Sequence, residues 1–151
     1  MPKWQVWLPA ARPKTLWASL VPVAAGSVMA YDAGFFHLLT FMGTMTAAVL
    51  IQIGTNYVND LLDFQKGADT SERLGPMRVI QSGLVSVKEM RTAVALVYMV
   101  TLLIGCYLIW RGGLPIALIG FTSLALGILY TGGPFPLSYT GLADLFVLIF
   151  F

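Results

Sequence analysis

Residues 38–59 read LLTFMGTMTAAVLIQIGTNYVN, a stretch without a single charge, and the next four are Asp60-Leu61-Leu62-Asp63. A run of this length suffices for a helix to cross a hydrocarbon core about 30 Å thick. No period-two alternation runs through it, which favours a helix over a barrel strand. Working outward, Thr15 to Tyr31 and Thr92 to Trp110 are further uncharged runs. A longer one, residues 112–143, is broken by Gly132-Gly133-Pro134-Phe135-Pro136, which leaves a fourth span near Leu114 to Tyr130 and a fifth beginning near Leu142. The expected fold class is therefore all-α: a polytopic transmembrane helical bundle of about four complete spans plus the start of a fifth.

Composition agrees. The 151 residues are 58% hydrophobic and 11% charged, with a mean hydropathy of +0.80, whereas a soluble domain carries about 25% charged residues. A packed soluble core and a disordered chain are both excluded. A formal charge of +2 with no dense basic run gives no reason to expect nucleic acid as a partner. The lone Cys106 forms no internal disulfide and reads as a small buried hydrophobe. Near the N-terminus, Arg12 and Lys14 interrupt the apolar pattern, so a cleavable signal peptide is not expected there. Trp4, Trp7 and Trp17 beside those cations read as interfacial anchors. Only seven uncharged residues follow Asp144, so the expectation is that residues 1–151 form the N-terminal part of one longer membrane domain.

Lysine and arginine set an orientation. Lys3, Arg12 and Lys14 precede the first span, and Lys66, Arg73, Arg78, Lys88 and Arg91 lie between the second and third; only Arg111 sits in a loop on the other side. The positive-inside rule makes the face with eight of these nine cations cytoplasmic. The one long loop, residues 59–91, faces the same way, and long loops in compact proteins tend to be functional.

That loop gathers four of the seven acidic residues: Asp60, Asp63, Asp69 and Glu72. Helical offsets of three and four put Asn56, Asn59, Asp60 and Asp63 on one face. Gly67 lets the chain turn and brings Asp69 back toward the same point. Carboxylates this close repel unless a cation neutralises them. With Asn carbonyls they supply the hard oxygen ligands that Mg²⁺ takes, and Mg²⁺ commonly bridges protein carboxylate to substrate phosphate. Thiolates and paired histidines are missing from the stretch, which argues against zinc. The alternative is a solvated acidic helix end, but it leaves two Asn one turn deeper in an apolar span unexplained. Arg73, Arg78, Gln81 and Ser82 follow the acids. Arginine forks suit diphosphate oxygens and Lys66 adds a point charge, while Lys88 and Arg91 are equally well read as topology signals.

These residues resemble a known family. Asn59-Asp-Leu-Leu-Asp-Phe-Gln-Lys-Gly-Ala-Asp69 is close to the first aspartate motif of the UbiA superfamily of membrane prenyltransferases, and Arg12-Pro-Lys-Thr-Leu16 is similar to that family's entry into its first helix. Gly75-Pro-Met-Arg78, Gln81-Ser-Gly83, Tyr130-Thr-Gly-Gly-Pro134 and Tyr139-Thr-Gly-Leu-Ala-Asp144 resemble more specifically the branch that prenylates 1,4-dihydroxy-2-naphthoate in menaquinone synthesis. The resemblance implies a bundle of about nine helices in a bacterial plasma membrane. It implies Mg²⁺ as cofactor, and a polyprenyl diphosphate and an aromatic acceptor as substrates.

By resemblance, Asp60 and Asp63 are the catalytic carboxylates, and Asn56, Asn59, Asp60, Asp63 and Asp69 help to hold the metal. Lys66, Arg73 and Arg78 face the diphosphate, and Arg12, Gln81, Ser82, Tyr130, Tyr139 and Asp144 are candidate substrate contacts. The family's second aspartate motif has no counterpart after Asp69, where Asp144 stands alone, so these residues by themselves are expected to be inactive. Other readings are a related prenyltransferase acting on 4-hydroxybenzoate or another acceptor, and a transporter fragment with an ion site. A CDP-alcohol phosphotransferase is disfavoured because its D-G-x-x-A-R framework does not occur.

Overall fold

In the computed structural model, residues 3–67 and 77–132 are described. They form four helices: α1 (Lys3–Ala11), α2 (Pro13–Asp32), α3 (Leu38–Gln65) and α4 (Val87–Leu129). The central element is α3, against which the other three pack.

The first break in the chain is at Arg12, which adopts φ 51° and ψ 70°, the left-handed region that a non-glycine residue rarely enters. Pro13 follows at the first position of α2, where its missing N–H costs nothing. A short α1 was not expected from the tryptophans. Its Val6, Ala10 and Ala11 are buried with Tyr57 and Leu61 of α3, and Trp7 stacks obliquely on Tyr57 with ring centroids 5.5 Å apart. Trp4 and Trp17 are exposed. Helix α2 has no buried residue; just beyond its end, Gly34 at φ 78° lets Phe35 N–H return to the Ala30 carbonyl at 2.8 Å.

Helix α3 runs past Asn59, where its uncharged stretch stops, to Gln65. At 28 residues it is about 42 Å long. The segment after it wraps back on itself: Ser82 and Leu84 N–H bond to the Arg78 and Val79 carbonyls at 3.0 and 3.1 Å. Val79, Ile80 and Val85 thereby enter the core beside Tyr57, Leu61 and Met90. Ser86 then caps α4 in a reciprocal box with Glu89, satisfying two of the orphan N–H groups at a helix start.

The 43 residues of α4 would extend about 64 Å if straight, but Gly113 has φ 69° and ψ −156° and divides the helix into two limbs. The fold-back is read from packing. A Cβ on Gly127 of the second limb would lie 2.5 Å from Thr55 Oγ1 and 3.5 Å from the Tyr98 hydroxyl of the first limb. The separately expected spans near 92–110 and 114–130 are thus the limbs of one hairpin. Glycine sets its depth on α3: a Cβ on Gly54 would meet the Tyr98 ring at 2.1 Å, and one on Gly132 would approach Leu62 Cδ1 of α3 at 3.1 Å. Small residues of this kind let membrane helices approach closely.

By length and composition, α3 and α4 are sufficient to cross a membrane. The large apolar side chains left exposed, such as Val28, Met29, Leu103, Leu118 and Phe121, suit lipid rather than water as the surrounding medium. Cys106, expected to be buried, is exposed on α4. Its small side chain borders the apolar cavity between α2, α3 and the two limbs of α4. The expected fifth span near Leu142 lies outside the described residues.

Candidate functional site

Four polar side chains on successive turns of α3 are all buried: Asn56, Asn59, Asp60 and Asp63 are 3, 8, 2 and 7% exposed. A solvated acidic helix end is therefore excluded. Together they reach three separate parts of the chain. Asn56 Nδ2 donates to the Ala11 carbonyl at 2.9 Å and to Thr15 Oγ1 at 3.0 Å, tying the end of α1 and the start of α2 to α3. Asn59 Oδ1 accepts from the Thr131 hydroxyl just beyond α4. Asp60 Oδ2 accepts the Val79 backbone N–H at 3.1 Å. Asp63 Oδ2 pairs with Arg78 Nη2.

The local fold explains the convergence. Offsets of three and four keep the α3 groups on one side of the helix. The turn after α3 buries Val79 and Ile80, which carries Arg78 down onto Asp63 and presents the Val79 N–H to Asp60. Burying two carboxylates is expensive without compensation. Here it comes from a guanidinium, also buried, and from a backbone donor. Lys66, exposed at the end of α3, sends Nζ to the Thr131 carbonyl. The result is a patch of mixed sign: two acids, two cations and a carboxamide at one end of the bundle.

The remaining candidates fall around it or beyond reach. Arg12 is half-buried at the strained junction of α1 and α2, one turn from the residues that Asn56 holds. Ser82 donates its hydroxyl to the Arg78 carbonyl at 2.6 Å, bracing the turn that carries the guanidinium, and Gln81 is exposed beside it. Tyr130 is half-buried at the C-terminal cap of α4. Asp69, Arg73, Tyr139 and Asp144 lie outside the described residues. Sequence reasoning chose Tyr130 and missed its neighbour Thr131, which makes the contacts. The only signal was a polar residue closing an apolar run.

Among the described residues, no three His, Cys, Asp or Glu side chains gather as a metal-holding group; Asp60 and Asp63 are the acidic pair. The donor set still suits a hard cation. Two carboxylates and the Asn59 carboxamide oxygen are the groups Mg²⁺ takes, usually completed by water and substrate phosphate rather than by an all-protein cage.

A cavity of about 620 Å³ lies elsewhere, between α2, α3 and both limbs of α4, lined by Phe36, Phe41, Ala48, Ile51 and Leu124 among others. Its nearest α3 residue, Ile51, is nine positions from Asp60, about 14 Å along the helix. It is mostly apolar, with His37 and Arg111 at its border, and lies distant from the carboxylates.

The profile of the UbiA prenyltransferase family matches residues 19–151. The chain is 38% identical over 158 aligned residues to the 1,4-dihydroxy-2-naphthoate octaprenyltransferase of Haemophilus influenzae, covering 99% of this chain and 51% of that protein. It is 38% identical to the Bacillus subtilis protein of the same name, covering 95% and 45%. A UbiA prenyltransferase domain-containing protein 1 homolog of Drosophila melanogaster is 34% identical, with 99% and 42% covered. The chain spans about half the length of the curated relatives it matches. No solved structure matches it.

Proposed function

The chain belongs to the UbiA prenyltransferase family, and from that premise we propose that the whole protein moves a polyprenyl group from polyprenyl diphosphate to an aromatic ring. The acceptor is 1,4-dihydroxy-2-naphthoate, whose ring carbon bearing the carboxylate is prenylated with loss of CO₂, a step of menaquinone synthesis. The names of the bacterial relatives support that acceptor. The observation that carries the reading is the burial of Asp60 and Asp63 beside Arg78, with Lys66 a short way on.

Asp60, Asp63 and the Asn59 carboxamide are the groups that would hold Mg²⁺, with Asp69 a further candidate. When bound, Mg²⁺ supplies positive charge against the diphosphate, stabilising it as a leaving group. The chain's own cations work in the same sense: the Arg78 fork and the Lys66 ammonium offer donors to diphosphate oxygens, joined by Arg73. The C–O bond of the donor breaks with its electron pair leaving on the diphosphate, the ring carbon supplies the pair for the new C–C bond, and the bond from that carbon to the carboxylate then breaks, releasing CO₂ and returning its pair to the ring. The apolar faces of the helices keep water from capturing the allylic cation. Arg12, Gln81, Ser82, Tyr130, Tyr139 and Asp144 are proposed to border the substrates. The N-terminus and the 59–91 loop face the cytoplasm of a bacterium, as eight of nine cations direct.

The test is product formation by the intact protein from a polyprenyl diphosphate with Mg²⁺, offered 1,4-dihydroxy-2-naphthoate and 4-hydroxybenzoate in parallel. Prenylated, decarboxylated naphthoate is expected, with Asp60→Asn and Asp63→Asn each lowering turnover at least about a hundredfold, the scale of losing an electrostatic contact to developing charge. Prenylation of the benzoate alone would move the protein to another branch. Full activity in both variants would remove the carboxylates from the chemistry.

A further inference from the structure

Thr131 is 2% exposed and spends both of its polar groups on the candidate site. Its hydroxyl donates to Asn59 Oδ1, 72 residues earlier in the chain, and its carbonyl accepts from Lys66 Nζ. Several threonines of these helices bond locally: Thr44, Thr46, Thr92 and Thr101 each return the hydroxyl to the carbonyl four residues back in their own helix, the usual local bond for this side chain. Thr131 instead reaches across to another helix, as Thr40 does to Tyr107.

We propose that Thr131 is a positioning residue of the diphosphate site: its hydroxyl fixes the Asn59 carboxamide and its carbonyl fixes the Lys66 ammonium. The proposal rests on reading this end of α3 as that site. A carboxamide can present either oxygen or nitrogen to a neighbour. A donor on Oδ1 selects one of the two orientations and turns Nδ2 away from Thr131. Lysine carries a point charge on a flexible four-carbon stem, and an uncharged carbonyl acceptor restrains it without neutralising it.

Thr131 itself is held at a fixed height. The second limb of α4 lies on α3 at glycine depth, where a Cβ on Gly127 would meet Thr55 Oγ1 at 2.5 Å. Immediately after Thr131, a Cβ on Gly132 would approach Leu62 Cδ1 of α3 at 3.1 Å. The chain at 131 therefore lies close against α3, and one residue just beyond α4 holds two groups at the end of α3.

The experiment measures binding of inorganic diphosphate with Mg²⁺ to the intact protein by calorimetry, together with kcat and KM for the polyprenyl diphosphate and the unfolding temperature. Thr131→Val keeps shape and carbonyl but removes the hydroxyl; Thr131→Ser keeps the hydroxyl. The valine variant is expected to bind Mg²⁺-diphosphate about fivefold more weakly, the scale of one neutral hydrogen bond, and to raise KM for the donor. The serine variant is expected to restore wild-type binding while unfolding no later than the valine variant. In an Asn59→Ala background, Thr131→Val should add no further loss, because it acts through Asn59. Where the valine variant does not fold, Thr131→Ala removes the same donor without a second methyl and carries the same expectation.

Wild-type binding in Thr131→Val, or a loss that serine does not restore, overturns the positioning role while leaving the site intact. Should the wild-type protein bind no Mg²⁺-diphosphate and Asp60→Asn change nothing, the site reading itself falls and takes this role with it.

Discussion

The Arg78–Asp63 pair can be tested energetically without any substrate. The Arg78 side chain is 4% exposed and that of Asp63 10%, so the pair belongs with buried ion pairs rather than with surface ones worth about 0–1 kcal/mol. Replacing Arg78 by methionine keeps much of the volume and leaves the carboxylate without its guanidinium. Removing one partner of a buried pair costs about 3–5 kcal/mol, most of it the penalty of an uncompensated charge. For a chain of this size that is a fall in unfolding temperature on the order of 10 °C. Thermal unfolding of the detergent-solubilised protein reads it directly. The double variant Arg78→Met/Asp63→Leu should recover most of the loss, since an apolar replacement of a whole buried pair is often neutral or stabilising. Mg²⁺ should raise the unfolding temperature of Arg78→Met more than that of the double variant, because only the former retains the Asp63 carboxylate. An unfolding temperature within about 2 °C of wild type for Arg78→Met would refute the reasoning. A double variant no more stable than the single would assign the cost to Arg78 packing instead.

Two other perturbations probe how the site is held. Asn56→Leu removes the 2.9 and 3.0 Å bonds to Ala11 and Thr15 and strands a buried carbonyl. About 1–3 kcal/mol of destabilisation is expected, with proteolysis of the α1–α2 junction accelerated; unchanged cleavage there would show that Asn56 is no tie. Gly132→Ala drives a Cβ to 2.7 Å from the Ile128 backbone carbonyl, which no rotamer change can relieve. A cost of about 1–3 kcal/mol is expected, together with weaker diphosphate binding as Thr131 is displaced. A variant of wild-type stability and binding would show that the close approach of residue 132 to the Ile128 carbonyl does not position Thr131.

The membrane helices were legible because hydropathy is a local signal. The start of α2 and of α3 falls within two residues of the uncharged runs, at Pro13 and Leu38. The uncharged run stops at Asn59, but the helical face shared by Asn56, Asn59, Asp60 and Asp63 already required the helix to continue past it. Asp60 and Asp63 are compensated inside the protein, so the helix continues through them to Gln65. Helix α1 was hidden by its tryptophans and by Pro9, since its reason for forming is the contact of Val6 and Ala10 with Tyr57 and Leu61, far along the chain. The face carrying Asn56, Asn59, Asp60 and Asp63 followed from helical spacing alone. What each of them reaches did not: Arg78 arrives through a turn whose shape depends on burying Val79 and Ile80, and Thr131 through a helix hairpin. No periodicity encodes those distances.

The central claim is that the buried carboxylates at the end of α3 hold a divalent cation that in turn holds the donor's diphosphate. Its most direct test is binding of a non-reactive thio-diphosphate analogue of the polyprenyl donor to the intact protein, with Mg²⁺ and with chelator. The account predicts saturable binding that requires Mg²⁺ and is lost in Asp60→Asn/Asp63→Asn, while Asp32→Asn, in the turn at the opposite end of the bundle, binds as wild type. Equal binding in chelator, or undiminished Mg²⁺-dependent binding in the double variant, would contradict it.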